Sequence, residues 1–472
     1  MTRAALALLL ALPATPAIAA EQIARLNGAG LSPLWIVPFA GILLSIALMP
    51  VTAPAFWHHH FGKTTAFWAS TLLVPLALNY GLGVTAHEVV HTLLAEYLPF
   101  MVLLFSLFIV SGGLHVRGNL HGSASQNTCL LGLGTVLASV MGTTGAAMLL
   151  IRPVLRANDN RQHRAHVVIF FIFLVANIGG GLTPLGDPPL FLGFLKGVDF
   201  FWTTRAMLWP TLMATGILLT LFFALDSWFW RSENERGRPT ADPSPDTPVA
   251  IDGKINIALL GAILALVMMS GIWKPDLEVV VYGTSLELQN VARDAGLVAV
   301  AWASLRLTPA RVRQANHFTF GPILEVAKLF AGIFITITPA IAMLRAGTDG
   351  VFAPLIGAVT GADGRPNEVV YFWMTGALSS FLDNAPTYLV FFNLAGGDAG
   401  VLMGPLATTL VAISAGAVFM GANTYIGNAP NFMVKSIAES RGVRMPSFLG
   451  YLGWSMVVLV PIYGLLTLLF FA

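Results

Sequence analysis

The sequence predicts an all-α polytopic membrane protein built from two inverted-topology repeats, each with a broken helix and a re-entrant hairpin. Three observations lead there: a composition too apolar for a soluble surface, a succession of long apolar segments, and a motif that returns 241 residues later. Hydrophobic residues make up 56% of the 472 and charged residues only 10%, against about 25% in soluble domains. The formal net charge of +2 is dispersed between apolar runs, with no basic stripe, so membrane lipid is the expected partner and nucleic acid is not. A single cysteine, Cys129, excludes an intrachain disulfide and a cysteine-based metal cluster.

The first twenty residues, "MTRAALALLLALPATPAIAA", carry Arg3, a short apolar stretch and a small-residue ending at Ala17 to Ala19. That is the layout of a secretory signal peptide over 1–20, which starts residue 21 outside the cytoplasm. A membrane helix needs about 20 apolar residues, more than this stretch supplies. Apolar segments then fall near 35–54, 64–82, 88–111, 128–151, 166–196, 205–230, 255–273, 295–307, 320–344, 370–394, 402–434 and 447–471. Each is expected to be helical, because in lipid a spanning backbone must satisfy its own hydrogen bonds. The polar, proline-rich "RSENERGRPTADPSPDTPVAIDGK" at 231–254 reads as a cytoplasmic linker. It divides a first membrane repeat, 21–230, from a second, 255–472.

Orientation follows from where Lys and Arg gather. With the segments at 128–151 and 370–394 as hairpins that return to their own side, the basic clusters share the cytoplasmic face: Arg152, Arg156, Arg161 and Arg164, then Arg231, Arg236 and Arg238, then Arg306, Arg311 and Arg313, and finally Lys435, Arg441 and Arg444. The second half then begins inside whereas the first begins outside. The expected location is the inner membrane.

The halves also share sequence. "GGLTPLGDPPLF" from Gly180 and "GANTYIGNAPNF" from Gly421 align at the offset of 241: Gly180 with Gly421, Thr183 with Thr424, Gly186 with Gly427, Pro189 with Pro430 and Phe191 with Phe432, while Asp187 faces Asn428. The same offset sets "SVMGTTGAAM" from Ser139 against "SFLDNAPTYL" from Ser380. This bears on "HEVVH" at 87–91, which on a helix spells a zinc-protease signature with His87 and His91 as ligands and Glu88 as base. Its counterpart "LEVAK" at 324–328 keeps an acid and a base three apart, Glu325 and Lys328, without the zinc spelling. The simpler expectation is a helix ion pair in both copies, Glu88 with His91 and Glu325 with Lys328, and no structural metal. The three histidines 58–60 are read as interfacial.

Inverted repeats with broken helices are the mark of secondary transporters, whose site lies near the bilayer midplane at the breaks. In "NIGGGLTPLGDPPL" the glycines and prolines rule out a continuous helix, and "GANTYIGNAPNF" is interrupted likewise. The hard oxygen and amide groups there, Asn177, Thr183, Asn423, Thr424 and Asn428, suit a small cation or a carboxylate. Carboxylates in hydrocarbon cost about 2.5–3.5 kcal/mol on insertion scales, so Asp187 and Asp383 require a role. Asp187 fits a helix N-cap as well as an ion ligand, and Asn428 in the equivalent place implies that an amide is tolerated there. Asp383, with Asn384 and Thr387 in its hairpin and Thr143 and Thr144 in the other, is read as the principal ion-coupling carboxylate. Arg152 and Lys196 are the cations that would balance an anion, and both are placed near the membrane faces where long side chains snorkel.

The "SSFLDNAPT" hairpin, its partner "GTTGAAMLL" and the paired breaks "LTPLGDPPL" and "NTYIGNAPN" resemble the ion transporter superfamily, and most of all NhaD-type sodium/proton antiporters and the citrate-transporter branch. The resemblance covers nearly the whole chain after residue 20. It implies a scaffold and a transport subdomain in each protomer, hairpins entering from opposite sides, and a homodimer. One departure matters. The dicarboxylate branch carries Ser-Asn-Thr at its hairpin tips, where this chain has Met141-Gly142-Thr143-Thr144 and Leu382-Asp383-Asn384-Ala385. An acid at the tip repels a bound carboxylate. The expected function is therefore sodium(cation)/proton antiport with no cofactor beyond the transported Na+ or H+, the alternatives being a coupled citrate or dicarboxylate carrier and, more remotely, an intramembrane zinc protease.

Overall fold

An apolar chain in lipid finds no solvent partner for its amides, and helices supply those partners internally. The computed structural model describes residues 26–235, 247–361 and 364–472. The expected signal peptide, 1–20, and the middle of the expected linker, 236–246, lie outside the described residues.

In the first half, α1 (Val37–Thr52) and α2 (Pro54–His91) are separated at Ala53, where a bent backbone and Pro54 stop one helix and start the next. α2 is interrupted at Gly81, whose φ of 85° a glycine adopts without steric cost. A π-helical turn at Thr92–Tyr97 leads into α3 (Leu98–Ser111), and the short strand β1 (His115–Arg117) follows. Next comes a hairpin, α4 (Ala124–Met141) and α5 (Thr143–Ala157), folded at Gly142 with φ 80°. A helix in two pieces follows: α6 (Ala165–Leu174) and α7 (Pro188–Leu195), joined through a 3-10 turn at Ile178–Leu182 and an extended Thr183. α8 (Phe200–Glu235) closes the half.

The second half repeats that order. Strand β2 (Ala250–Asp252) pairs antiparallel with β1 and precedes α9 (Ile255–Ile272). A β-hairpin, β3 (Glu278–Val281) with β4 (Thr284–Glu287), leads to α10 (Leu288–Leu307), the short α11 (Ala310–Ala315) and α12 (Gly321–Arg345). After α13 (Ala353–Val359), the second hairpin is α14 (Glu368–Phe381) and α15 (Asn384–Leu394), bent through an extended Leu382. Then come α16 (Ala399–Met403), the second broken helix, α17 (Ala407–Met420) with α18 (Ala429–Ser440), and α19 (Phe448–Phe470). The backbone recurs residue by residue at the offset of 241: Thr183 (φ −141°, ψ 159°) with Thr424 (φ −137°, ψ 167°), and Asp187 (φ −145°, ψ 144°) with Asn428 (φ −148°, ψ 140°).

The halves interlock reciprocally. α2 packs on α12 and α10 on α3, while α5 lies on α18 and α15 on α7. This puts the broken helices at the centre: the stretch Ala165–Leu182 is 89% buried, whereas the span within Phe200–Glu233 and that of Ile255–Ile272 are each 28% buried. Among the described residues seven helical stretches are long and apolar enough to cross a membrane, and Pro54–Ser111, at 58 residues, is long enough for two crossings around Gly81. Large apolar side chains face outward on α2 (Leu78, Leu82), α9 (Ile272) and α19 (Leu449, Val457), as lipid contact requires. The molecule is an all-α polytopic membrane protein.

Several boundaries differ from the sequence reading. The second helix begins at Pro54 rather than 64, and the helix read at 295–307 begins at Leu288, because polar residues near their starts, His58 to Lys63 and Gln289 to Asp294, lower the hydropathy there. The expected linker 231–254 also gives up its ends, to the last turns of α8 and to β2. Glu233 explains the first loss: it is buried against Arg161, with Oε2 3.2 Å from Nε.

The sequence reading has both hairpins, α4 with α5 and α14 with α15, return to the side they enter from, which sets 160 and 440 on one face and 285 on the other. On a Cys129→Ser background, Asn160→Cys and Ser440→Cys should therefore be labelled by an impermeant maleimide from the same side, and Ser285→Cys from the other. Labelling of 160 and 440 from opposite sides would make one hairpin a full crossing.

Candidate functional site

The breaks and hairpin tips converge on one side chain. Asp187 is 2% exposed, and its carboxylate accepts from Thr143 Oγ1 (2.9 Å) at the first hairpin tip, Asn384 Nδ2 (2.5 Å) at the second, and Asn428 Nδ2 (3.2 Å) in the second break. Three elements remote in sequence thus each give a neutral donor to one charge. Asp187 holds the N-cap position of α7 in an extended conformation, but Pro189 at the second position has no amide hydrogen and the side chain makes no capping bond. Asn428 is held by Ala176 O (3.1 Å) and Asn177 Oδ1 (3.3 Å), and Asn177 donates in turn to Asn431 Oδ1 (2.7 Å).

Asp383 is bound differently. Its Oδ1 accepts the amide of Ala385 at 3.1 Å, an N-cap on α15, and no other donor to this carboxylate is found among the described residues. Both carboxylates, with Thr143, Thr144 and Asn428, line a cavity of about 120 Å³. The rest of the lining includes an apolar wall, Leu103, Leu107 and Phe108 of α3 and Ile323, Val326 and Phe330 of α12. No Lys, Arg or His lines it among the described residues. The buried guanidinium of Arg293 stands one layer back, 5.9 Å from the Phe191 ring, with its Nε given to Asp294 (2.8 Å).

Other residues singled out from sequence hold backbone. Thr183 Oγ1 donates to Ser139 O, and its repeat partner Thr424 to Ser380 O, both at 2.5 Å. Thr387 Oγ1 donates to Asp383 O (3.0 Å), and Asn423 Nδ2 to Ser380 Oγ (2.8 Å). Sequence reasoning missed Asn431, which donates to Gly421 O (2.8 Å) and Thr424 O (2.9 Å) and so pins the second break. Its signal was the asparagine three residues beyond Asn428 in "GNAPN". The apolar wall carried no signal, since those residues look like any other span.

The "HEVVH" stretch lies elsewhere. His87, Glu88 and His91 border a second, polar cavity of about 790 Å³ together with Glu96, Lys196, Arg345 and Asp349. His87 Nδ1 faces Tyr282 O (3.2 Å), and Glu88 accepts the amide of Leu26 (3.4 Å). In the second copy the expected ion pair is not made: Lys328 extends over the Phe61 ring at 5.4 Å instead of toward Glu325, because the ring gives its stem apolar cover. Among the described residues no three His, Cys, Asp or Glu side chains converge as a metal site would require. Lys196, expected to snorkel, pairs with Glu96 in the π-helical turn. His59 and His60 of the histidine run turn a ring nitrogen to the carbonyl four residues back on α2.

Residues 28–471 match a family described as "Putative citrate transport". The chain belongs to that citrate-transport family. The match takes in both hairpins and both breaks, and with the apolar helices it makes this a multi-pass membrane transport protein. No protein of curated function matches the chain.

In this member of the family the two carboxylates differ in what they can still bind. Asp187 accepts from three side chains, whereas one oxygen of Asp383 has no donor among the described residues. The geometry opposes the idea, drawn from Asn428, that an amide is tolerated at 187: an amide nitrogen there would face either Asn384 Nδ2 or Asn428 Nδ2, both donors. Leaving one buried donor unpaired costs about 1–3 kcal/mol. Asp187→Asn should therefore lower the thermal midpoint of the detergent-solubilised protein, while Asp383→Asn, which keeps the oxygen that caps Ala385, should leave it unchanged. Equal midpoints for the two variants would show that the bonds to Asp187 contribute no stability.

Proposed function

We propose that this protein is a secondary transporter of the inner membrane that exchanges a cation, sodium in the first instance, for protons at Asp383, with its two halves in opposite orientation. The observation that supports this most is the charge of the cavity: two carboxylates, hydroxyl and amide oxygens, and no cationic side chain among the described residues. Hard oxygen ligands with negative charge suit a small hard cation. A proton competing for the same oxygen gives exchange without a second site, so that either occupant neutralises the charge and neither binds with the other.

A second reading is favoured by the family description over residues 28–471: a carrier of citrate. A bare citrate anion would meet two like charges and no compensating side chain in this cavity. On that reading citrate moves only when cations or protons accompany it.

The test is a dye-reported pH gradient in inverted vesicles, challenged in turn with sodium, lithium, potassium and citrate. Exchange requires that cations alone dissipate the gradient and that Asp383→Asn, correctly inserted, abolishes this. Normal transport by Asp383→Asn would end the assignment of that residue. Dissipation by citrate alone, with tighter citrate binding in the mutant, would replace cation exchange by citrate transport.

A further inference from the structure

Where α5 ends beside α18, at the opposite end of the hairpin from the carboxylates, basic side chains from three chain segments come together. Arg152 and Arg156 stand one turn apart on α5, Arg441 follows α18 directly, and His115 and Arg117 come from β1. Arg441 repels both Arg152 and Arg156. The compensation is thin. Asp252 is taken by Arg117 at 3.4 Å, and Asp159 acts on Arg156. Arg156 gives Nη2 to Val116 O (2.6 Å), which ties the hairpin to β1. Nη1 of Arg152 is buried with no hydrogen-bond partner among the described residues.

A buried guanidinium nitrogen without an acceptor, among like charges, is a costly arrangement. His115, on a strand outside the apolar spans, reports the local potential. Burial first, and then the charges of Arg156, Arg152 and Arg117, hold its imidazole below the usual range against the pull of Asp252. The guanidinium is the group that meets phosphate with two parallel bonds and is only weakly hydrated. Basic pockets between helices at a membrane face take the headgroups of anionic lipids.

We propose that Arg152, Arg156 and Arg441 form a binding site for a phosphate group, supplied by the headgroup of an anionic phospholipid lodged between α5 and α18. The site is separate from the Asp187 and Asp383 cavity, whose lining contains none of these arginines. It stands whether the cargo is a cation or citrate. An occupant would bridge the first hairpin and the second broken helix from outside, at the point where the two halves interlock.

Native mass spectrometry of the purified full chain, offered phosphatidylglycerol or phosphatidylcholine, tests this. Retained phosphatidylglycerol, with a rise in thermal midpoint that phosphatidylcholine does not give, is the expected result. Arg152→Gln with Arg441→Gln should weaken that retention about twenty-five-fold, at roughly fivefold for each basic side chain near a membrane surface. If the pair fails to fold, Arg441→Gln alone, on an exposed side chain, should still weaken it about fivefold. Millimolar inorganic phosphate is added as competitor. Failure to displace the lipid assigns the source to phospholipid, and displacement, or phosphate binding without lipid, assigns it to free phosphate at the same arginines. Equal retention of phosphatidylglycerol by the parent and the folded variants, with no phosphate binding, overturns the site.

Discussion

A carboxylate buried among apolar helices is tolerable only if donors come to it, and Asp187 sets that condition for the whole interior. Its partners Thr143, Asn384 and Asn428 belong to two hairpins and a helix break that the chain reaches 44 residues earlier and 197 and 241 residues later. Each must arrive within hydrogen-bond distance, and much of the fold reads as the means. Gly142 takes φ 80° so that the first hairpin can turn back at Thr143. Gly186 lies so close to Gly180 that a Cβ would sit 2.3 Å from its carbonyl oxygen, and Gly427 makes the equivalent approach to Gly421 at 2.6 Å. The breaks are compact because side chains are missing where the backbone folds onto itself.

The repeat keeps its architecture and varies its chemistry. The hydroxyl staples from Thr183 to Ser139 O and from Thr424 to Ser380 O have the same length, and the residues two further on, Leu185 and Ile426, each donate an amide back to that hydroxyl at 3.2 Å. At the two carboxylates the correspondence breaks in opposite senses. The first half places its acid in the break, Asp187 against Asn428, and the second places its acid at the hairpin tip, Asp383 against Gly142. Had both acids been in one kind of position, each would have competed for the same donors. Set apart in this way, one accepts from three side chains and the other is left with an oxygen that has no donor among the described residues.

The architecture was legible from sequence where backbone chemistry is explicit. Glycine and proline marked both breaks, and the offset of 241 paired the residues whose dihedral angles agree. Asp187, Asp383, Thr143 and Asn428 were named from residue type and do line one cavity, and Asn384, named with them, bonds to Asp187. Partnerships were less legible. Nothing in "LGDPPL" says that its acid bonds across to Asn384, because that contact depends on how the halves interlock and not on local pattern. Charge spacing misled at Lys328, where an i, i+3 acid was available and an aromatic ring across the helix interface was preferred. The apolar wall of the cavity was invisible, since hydropathy does not distinguish a leucine against lipid from one against a site.

That wall gives the cavity its asymmetry. The carboxylates, hydroxyls and amides of the lining all come from hairpins and breaks, and α3 and α12 contribute only aliphatic and aromatic groups. An apolar surface cannot share in coordinating an ion, so whatever binds is held by the hairpin and break assembly alone. It does exact a condition. With Asp383 ionised and unpaired, movement of that assembly along α3 and α12 would drag a charge across hydrocarbon-like surface, at a cost of several kcal/mol. With a cation or a proton on the carboxylate, the same movement presents a neutral group. On the proposed exchange, such a surface would penalise the empty site and admit either occupied one, which is the condition that separates exchange from leak. No second ion site is needed for this, only a carboxylate with one oxygen uncommitted and an apolar surface that offers it nothing.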